Sequence, residues 1–329
     1  MQVLRITRPG GPEVLEFEER PAPTPGPSDL LVRVLATALN RADLLQIRGH
    51  YAPPPGVPAD VPGLEYAGEV LAIGPLVRRF KAGDHVMGLV GGGAFSEQLL
   101  THEREAFPLP GNLEPAQAAA LPEAYLTAFD ALVLQGGLRM GESVLIHAVA
   151  SGVGSAAVQL CRAMGARTLG TGRNAEKLSR ASAWGVAKTL LCESSPPRFA
   201  EAVREATGGR GVDLALDLVG GEYVPETVRA MALQGRVMLV GLVAGRQATP
   251  DLDVILSKRL RITGTVLRSR PPEEKMALAQ AAERHLLPLF QSGTLTPVID
   301  AVVPMREARE ALARMASNET VGKLVLRWE

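Results

Sequence analysis

Ser151-Gly152-Val153-Gly154 is the stretch of this chain whose residue types and spacing best suit chemistry. It follows the apolar run Val144-Leu145-Ile146, which reads as a parallel strand buried on both faces. Ala156, Ala157, Leu160 and Ala163 come next at helical spacing. Such a turn places the unpaired N–H groups of a helix start, and the positive end of its dipole, at the end of a buried strand. That geometry can hold a pyrophosphate. Gly154 lets the helix pack closely, and Gly152 and Val153 complete the cradle. The glycine fingerprint is incomplete, because Val149 and Ser151 stand where its first two glycines would fall. Ser151 takes the middle place, so its hydroxyl is expected against the pyrophosphate or a ribose. The alternative is that Ser151 only caps the helix.

A second signal lies downstream. Ala166 to Gly172 reads as the next strand, and Arg173 follows it. A site for NAD usually carries Asp or Glu there, accepting hydrogen bonds from a ribose 2′-hydroxyl. This chain has Gly172-Arg173-Asn174, with Lys177 one helical turn on. A guanidinium and an ammonium suit a 2′-phosphate, so NADPH is expected over NADH. The competing reading makes Arg173 and Lys177 a solvated helix start.

The surrounding elements divide the chain. With 329 residues, 46% hydrophobic and 21% charged, two globular domains are the natural expectation. Zero formal net charge gives no electrostatic case for nucleic acid. No apolar stretch is long enough to span a bilayer, and the N-terminus lacks the apolar core of a signal peptide. Only Cys161 and Cys192 occur, too few for a disulfide framework, so a cytoplasmic protein is expected. The first third alternates short apolar runs with Gly/Pro turns, as a β-barrel or sandwich does. From Ser143 the rhythm is strand and helix: Ala166–Gly172, Asp213–Gly221, Gly235–Leu242 and Arg259–Leu267 are the later strands. That alternation implies a doubly wound parallel sheet. The last run, GKLVLRW, reads as a strand returning to the β domain. The expected fold class is α/β, with a β domain formed by residues 1–120 and 268–329 around a Rossmann domain of residues 121–267.

The segments ALNRAD (Ala38 to Asp43), GHYAPPPG (Gly49 to Gly56), VPGLEYAGEV (Val61 to Val70), FKAGDHV (Phe80 to Val86), AAALPEAYLTAF (Ala118 to Phe129), LIHAVASGVG (Leu145 to Gly154) and VGKLVL (Val321 to Leu326) carry a resemblance over essentially the whole chain. It resembles the zinc-independent, zeta-crystallin-like quinone oxidoreductase branch of the medium-chain dehydrogenase/reductase superfamily. The Tyr51 segment and the glycine turn look most like the stress-inducible members from animals. The resemblance implies a GroES-like catalytic domain, an NADPH-binding Rossmann domain and a homodimer. For the dimer, RLRITGTVLRSR (Arg259 to Arg270) supplies an edge strand for antiparallel pairing.

Zinc-dependent relatives place a Cys where this chain has Asn40, a His where it has Leu64 beside Glu65, and a third ligand at about Glu123. Asn and Leu are poor zinc ligands, and one carboxylate is not a site, so no metal is expected. Without a Lewis acid, hydride transfer is expected to an acceptor that is already electrophilic, such as a quinone. Asn40, Asp43 and Tyr51 are the candidates for lining the acceptor site. Asn40 could donate to a carbonyl oxygen, and Tyr51 could stack or give its phenol proton. Asp43 is expected to fix loop geometry, Glu65 to be a buried structural carboxylate, and His147 to be structural. Matching positions imply Thr127 near the nicotinamide, with Val219, Gly220 and Gly241 at the adenosine end. Lys323 is expected to reach the cofactor phosphates, or else to be a surface lysine. Cys192 stands where relatives commonly carry a Tyr that contacts the adenine ribose phosphate. Two other functions fit the same features: an enoyl or alkenal reductase, and a cofactor-binding structural or nucleotide-sensing protein like the zeta-crystallins.

Overall fold

The computed structural model describes residues Met1 to Trp328. The chain forms two compact units, Met1–Leu126 together with Leu267 onward, and Thr127–Val266. The first boundary falls at Leu126, where the sequence reading set residue 120.

In the first unit, Asp29–Ala38 is the organising strand. Leu30, Val32 and Val34 alternate inward, as the two-residue period of a pleated strand requires. It pairs antiparallel with Glu65–Ile73, with Gln98–His102 and with Lys323–Arg327. The last of these is the expected return of the C-terminal run, and it lies parallel to Ile299–Pro304. His85–Leu89 and Ala106–Pro108 extend the same seven-stranded sheet. Tyr66, Val70, Val86 and Leu99 join Leu30, Val32 and Val34 in one buried cluster. After the organising strand the chain turns into the short helix Arg41–Ile47. Asn40 caps that helix and Asp43 returns the capping interaction, a reciprocal box that fixes the turn.

The second unit is a six-stranded parallel sheet. Its order is Lys188–Leu191, Arg167–Gly172, Ser143–Ile146, Val212–Asp217, Met231–Leu239, Arg261–Gly264. Ser143–Ile146 is buried throughout, which is why it reads as an unbroken apolar run. The winding reverses on either side of it, so the loops beyond its C-terminal end form the switch point where open α/β sheets bind ligands. The edge strand is shorter than its apolar run suggested, and all four residues of Arg261–Gly264 are exposed.

Candidate active site

The glycine turn of the second unit has the local geometry its sequence implies. Gly152–Ala163 is a helix and Ser151 is its N-cap. Ser151 Oγ accepts from the Gly154 N–H at 3.1 Å, so the capping alternative is what the structure shows for this oxygen. The hydroxyl proton stays available to donate. A Cβ at Gly154 would come within 2.5 Å of the Val149 carbonyl oxygen and 2.6 Å of the Ala148 one. Gly154 is therefore required by the turn's own backbone more than by the strand. Ala148 holds a left-handed φ of 48° here, a strain that its residue type does not signal.

The other cofactor candidates cluster at strand ends of this unit. Arg173 is exposed just beyond Gly172. Lys177 sits in the helix Ala175–Ser182, whose N-cap Asn174 accepts from the Lys177 N–H at 3.0 Å. The Val219 and Gly220 N–H groups both donate to Asp217 Oδ1 at 2.8 Å, which shapes the loop after Val212–Asp217. A Cβ at Gly241 would meet the Leu218 carbonyl at 2.3 Å, so the two loops touch backbone to backbone. Cys192 is buried and cannot substitute for a surface aromatic. His147 is structural, as expected. Its ring nitrogens lie 2.8 Å from Thr171 Oγ1 and from Thr227 Oγ1, and burial lowers its pKa. Thr227 gives its one proton to the Tyr223 carbonyl, so it accepts from His147 Nε2. Two buried oxygens of this unit have no partner among the described residues: Thr127 Oγ1 and Asp217 Oδ2. Orphaned polar atoms of this kind fit a polar ligand such as a dinucleotide.

The first unit holds a buried ionic network, and it corrects two expectations. Lys323 Nζ donates to Glu65 Oε1 at 2.6 Å, to Asn40 Oδ1 at 2.6 Å and to the Leu39 carbonyl at 2.9 Å. All three ammonium protons are engaged, and Glu65 is fully buried. Lys323 is therefore no surface lysine: it is buried, with its three protons held inside the protein. It neutralises a buried carboxylate that could not stand alone. Asn40 is engaged as well. Its Nδ2 donates to Glu65 Oε1 at 2.9 Å and to the Ala38 carbonyl at 3.1 Å, which leaves no proton for a substrate carbonyl. Glu65 Oε2 accepts from the Glu123 N–H at 2.7 Å, so Glu65 is the structural carboxylate expected. Asp43 is bonded to backbone. Its oxygens accept from the N–H groups of Asn40 and Gly63, at 2.7 and 3.1 Å, and tie two loops together. Burial pushes its pKa up to about 6 against those bonds.

This donor set does not fit zinc. Asn40 and Glu65 bond an ammonium that already supplies the local positive charge, Leu64 offers no ligand atom, and among the described residues no group of three His, Cys, Asp or Glu could hold a metal ion.

Tyr51 is held by a residue that sequence reasoning missed. Arg268 donates to the Tyr51 carbonyl at 3.0 Å, and its guanidinium carbon lies 4.8 Å from the centre of the Tyr51 ring. The same guanidinium donates to the Gly91 carbonyl at 2.6 Å and to Gln46 Oε1 at 2.5 Å. Arg268 is 7% exposed, so this is an anchored side chain that fixes the Tyr51 loop. Nothing in the sequence singles out Arg268, which follows an apolar leucine at the end of a strand-like run. Burial first, and then the nearby Glu123 charge, raise the Tyr51 pKa, so its phenol stays protonated. Arg268 and Glu123 also line a mostly apolar cavity with Leu64, Val90 and Leu126.

Comparisons with known proteins agree with this geometry. Residues 26–111 match the alcohol dehydrogenase GroES-like domain, and residues 152–283 match the zinc-binding dehydrogenase family. A quinone oxidoreductase of Pseudomonas aeruginosa is 34% identical over 321 residues, covering 96% of each chain. A mycobacterial protein solved in complex with NADPH superposes with a TM-score of 0.88 at 27% identity, over 99% of this chain and 100% of the other. The CurF ER cyclopropanase of the curacin A biosynthetic pathway superposes with a TM-score of 0.88 at 26% identity, over 100% and 99% of the two chains. Two units of the expected architecture, matched by both domain families and by a relative over nearly its whole length, make the chain a member of the medium-chain dehydrogenase/reductase superfamily, in its zeta-crystallin-like quinone oxidoreductase branch.

Proposed function

We propose that this protein is an NADPH-dependent quinone reductase that works without zinc. The observation that carries the reading is the Lys323 ammonium beside Asn40 and Glu65, where zinc-dependent relatives place their metal. A buried, fully hydrogen-bonded ammonium cannot coordinate an alkoxide, so alcohol oxidation loses its usual electrophile. An acceptor that is already electrophilic does not need one.

When bound, NADPH supplies the hydride. The chain's own residues hold and orient. The Ser151 and Gly154 N–H groups are bonded within the turn, so the N–H groups of Gly152 and Val153 would hold the pyrophosphate, with the Ser151 proton as a further donor. Arg173 and Lys177 read the 2′-phosphate. Thr127 offers a hydroxyl with no partner in the protein, and the loops at Val219, Gly220 and Gly241 let backbone approach the adenosine. In the barrel unit, Arg268 fixes Tyr51, whose ring can flank the acceptor and whose phenol can donate a hydrogen bond. A second enzymatic reading, reduction of a conjugated C=C, is favoured by the likeness to the ER cyclopropanase.

The proposal extends to a cytoplasmic homodimer. Both cysteines are free and buried, and no helix among the described residues is long and apolar enough to cross a membrane. Arg261–Gly264 leaves one side of an exposed sheet edge unpaired, beside exposed Leu252 and Leu256, a liability that a second copy would cover. The test of function is NADPH oxidation measured side by side with benzoquinone and with an α,β-unsaturated ketone. Turnover with the quinone supports the reading. Turnover with the ketone alone replaces it with the enone reductase.

A further inference from the structure

We infer that Glu123 is the acid that completes acceptor reduction, delivering a proton to the oxygen that gains charge. The inference rests on the reductase reading above. Its basis is the one carboxyl group of the barrel unit's buried cluster that the network leaves unused.

The three other acidic or basic members are committed. Glu65 is bonded to Lys323, Asn40 and the Glu123 backbone, and Asp43 to two backbone N–H groups. Lys323 has used all its protons. The Glu123 side chain, in contrast, forms no hydrogen bond or ion pair among the described residues, and it lines the cavity whose walls include Leu64, Val90 and Leu126. A carboxyl group facing an apolar cavity without a cationic partner is held neutral by desolvation. The charged groups around it act in both directions. Glu65 and Asp43 disfavour its ionisation, while Lys323 and Arg268 favour it. Tyr51 is close enough to feel its charge, and Glu105, Arg270 and Lys275 line the same cavity. Desolvation dominates, with Glu65 second, and the pKa stands at about 7.

The chemistry balances. A quinone takes a hydride from the reduced nicotinamide, which leaves oxidised, and becomes a hydroquinone monoanion. The Glu123 O–H bond then breaks, and an O–H bond forms on the phenolate oxygen. Glu123 is left as a carboxylate and takes its next proton from solvent. A phenolate of ordinary pKa, about 10, is basic enough to accept the proton from a carboxyl group poised near neutrality. For an enone the same proton would reach the enolate. A carboxyl of ordinary pKa would already have lost its proton at neutral pH, so the apolar setting is what makes the group usable.

The experiment compares the full-length wild type with Glu123→Gln. The readouts are pH–rate profiles for benzoquinone and for methyl vinyl ketone, NADPH affinity, and an infrared titration of the carboxylic C=O band without cofactor. The wild-type kcat should fall as pH rises through about 7. Glu123→Gln should lower kcat by about a hundredfold, remove that limb and leave NADPH affinity within about twofold. The infrared band titrating near neutrality should vanish in the variant. A variant kcat within about twofold of wild type overturns the inference, as does a flat wild-type profile or the absence of such a band. If Glu123→Gln does not fold, the wild-type profile and band decide. Loss of quinone turnover with ketone turnover intact overturns the functional reading instead, and the same comparison then judges Glu123 on the ketone.

Discussion

The polar groups around Glu65 and those around the glycine turn are arranged in opposite ways. Around Glu65 the barrel unit is closed: Lys323, Asn40 and Asp43 have their donors and acceptors matched inside the protein. The glycine-turn unit is open: Thr127 Oγ1 and Asp217 Oδ2 are buried without partners, and Arg173 stands exposed at a strand end. A closed network fixes shape and resists substitution, while open valences call for a ligand. Changes in the first region should therefore act on stability, and changes in the second on binding.

The largest break should come at Lys323. Replacing it with methionine leaves Glu65 buried without its counter-ion, which typically costs about 3–5 kcal/mol. Denaturant unfolding of Lys323→Met should show that loss, with NADPH affinity of the folded fraction little changed. A stable variant with weakened NADPH binding would restore the phosphate-contact role.

Next in size is a pH dependence of stability. Burial pushes the carboxyl pKa of Glu123 up to about 7 and that of Asp43 up to about 6, above the ordinary carboxylate range of about 4. The folded state therefore binds their protons more tightly than the unfolded state. Their stabilising contribution is complete below about pH 4 and is lost as pH rises through about 6 and 7. Glu123→Gln should flatten this fall by about 2 kcal/mol, discounted for its partial exposure. Unfolding free energies measured from pH 4 to pH 8 check it, and identical slopes in the two proteins would count against a neutral Glu123.

In the open region, Arg173→Asp should lower the NADPH-to-NADH affinity ratio by about tenfold or more, without changing the melting temperature of the free protein. An unchanged ratio in a fluorescence titration would move the reader to Lys177. The smallest effect belongs to Ser151→Gly. It removes the cap on Gly154 and should cost only a few tenths of a kcal/mol. A binding loss far exceeding that would show that the leftover hydroxyl proton meets the cofactor.

Much of this contrast was legible in the sequence, unevenly. The strand–turn–helix at Val144 to Ala163 is local, so apolar periodicity and two glycines were enough to place it. The C-terminal return of Lys323–Arg327 could be anticipated from its strand pattern. The partners of Lys323 could not, because Asn40 and Glu65 lie more than half the chain away and meet it only through sheet pairing. Arg268 escaped for the same reason: its bonds to Gln46, Tyr51 and Gly91 are all long-range. Position alone makes Asn40 a candidate donor to a substrate carbonyl. Its engagement with Glu65 and Lys323 is a packing fact that residue type does not reveal.

Zinc-free reduction of a quinone by NADPH is open to one decisive measurement: a single turnover of chelator-treated, metal-free protein loaded with NADPH and mixed with excess benzoquinone. Stoichiometric NADPH oxidation in one fast phase, unchanged when zinc is added back, is the expected result. No oxidation until zinc is restored would overturn the proposed reaction.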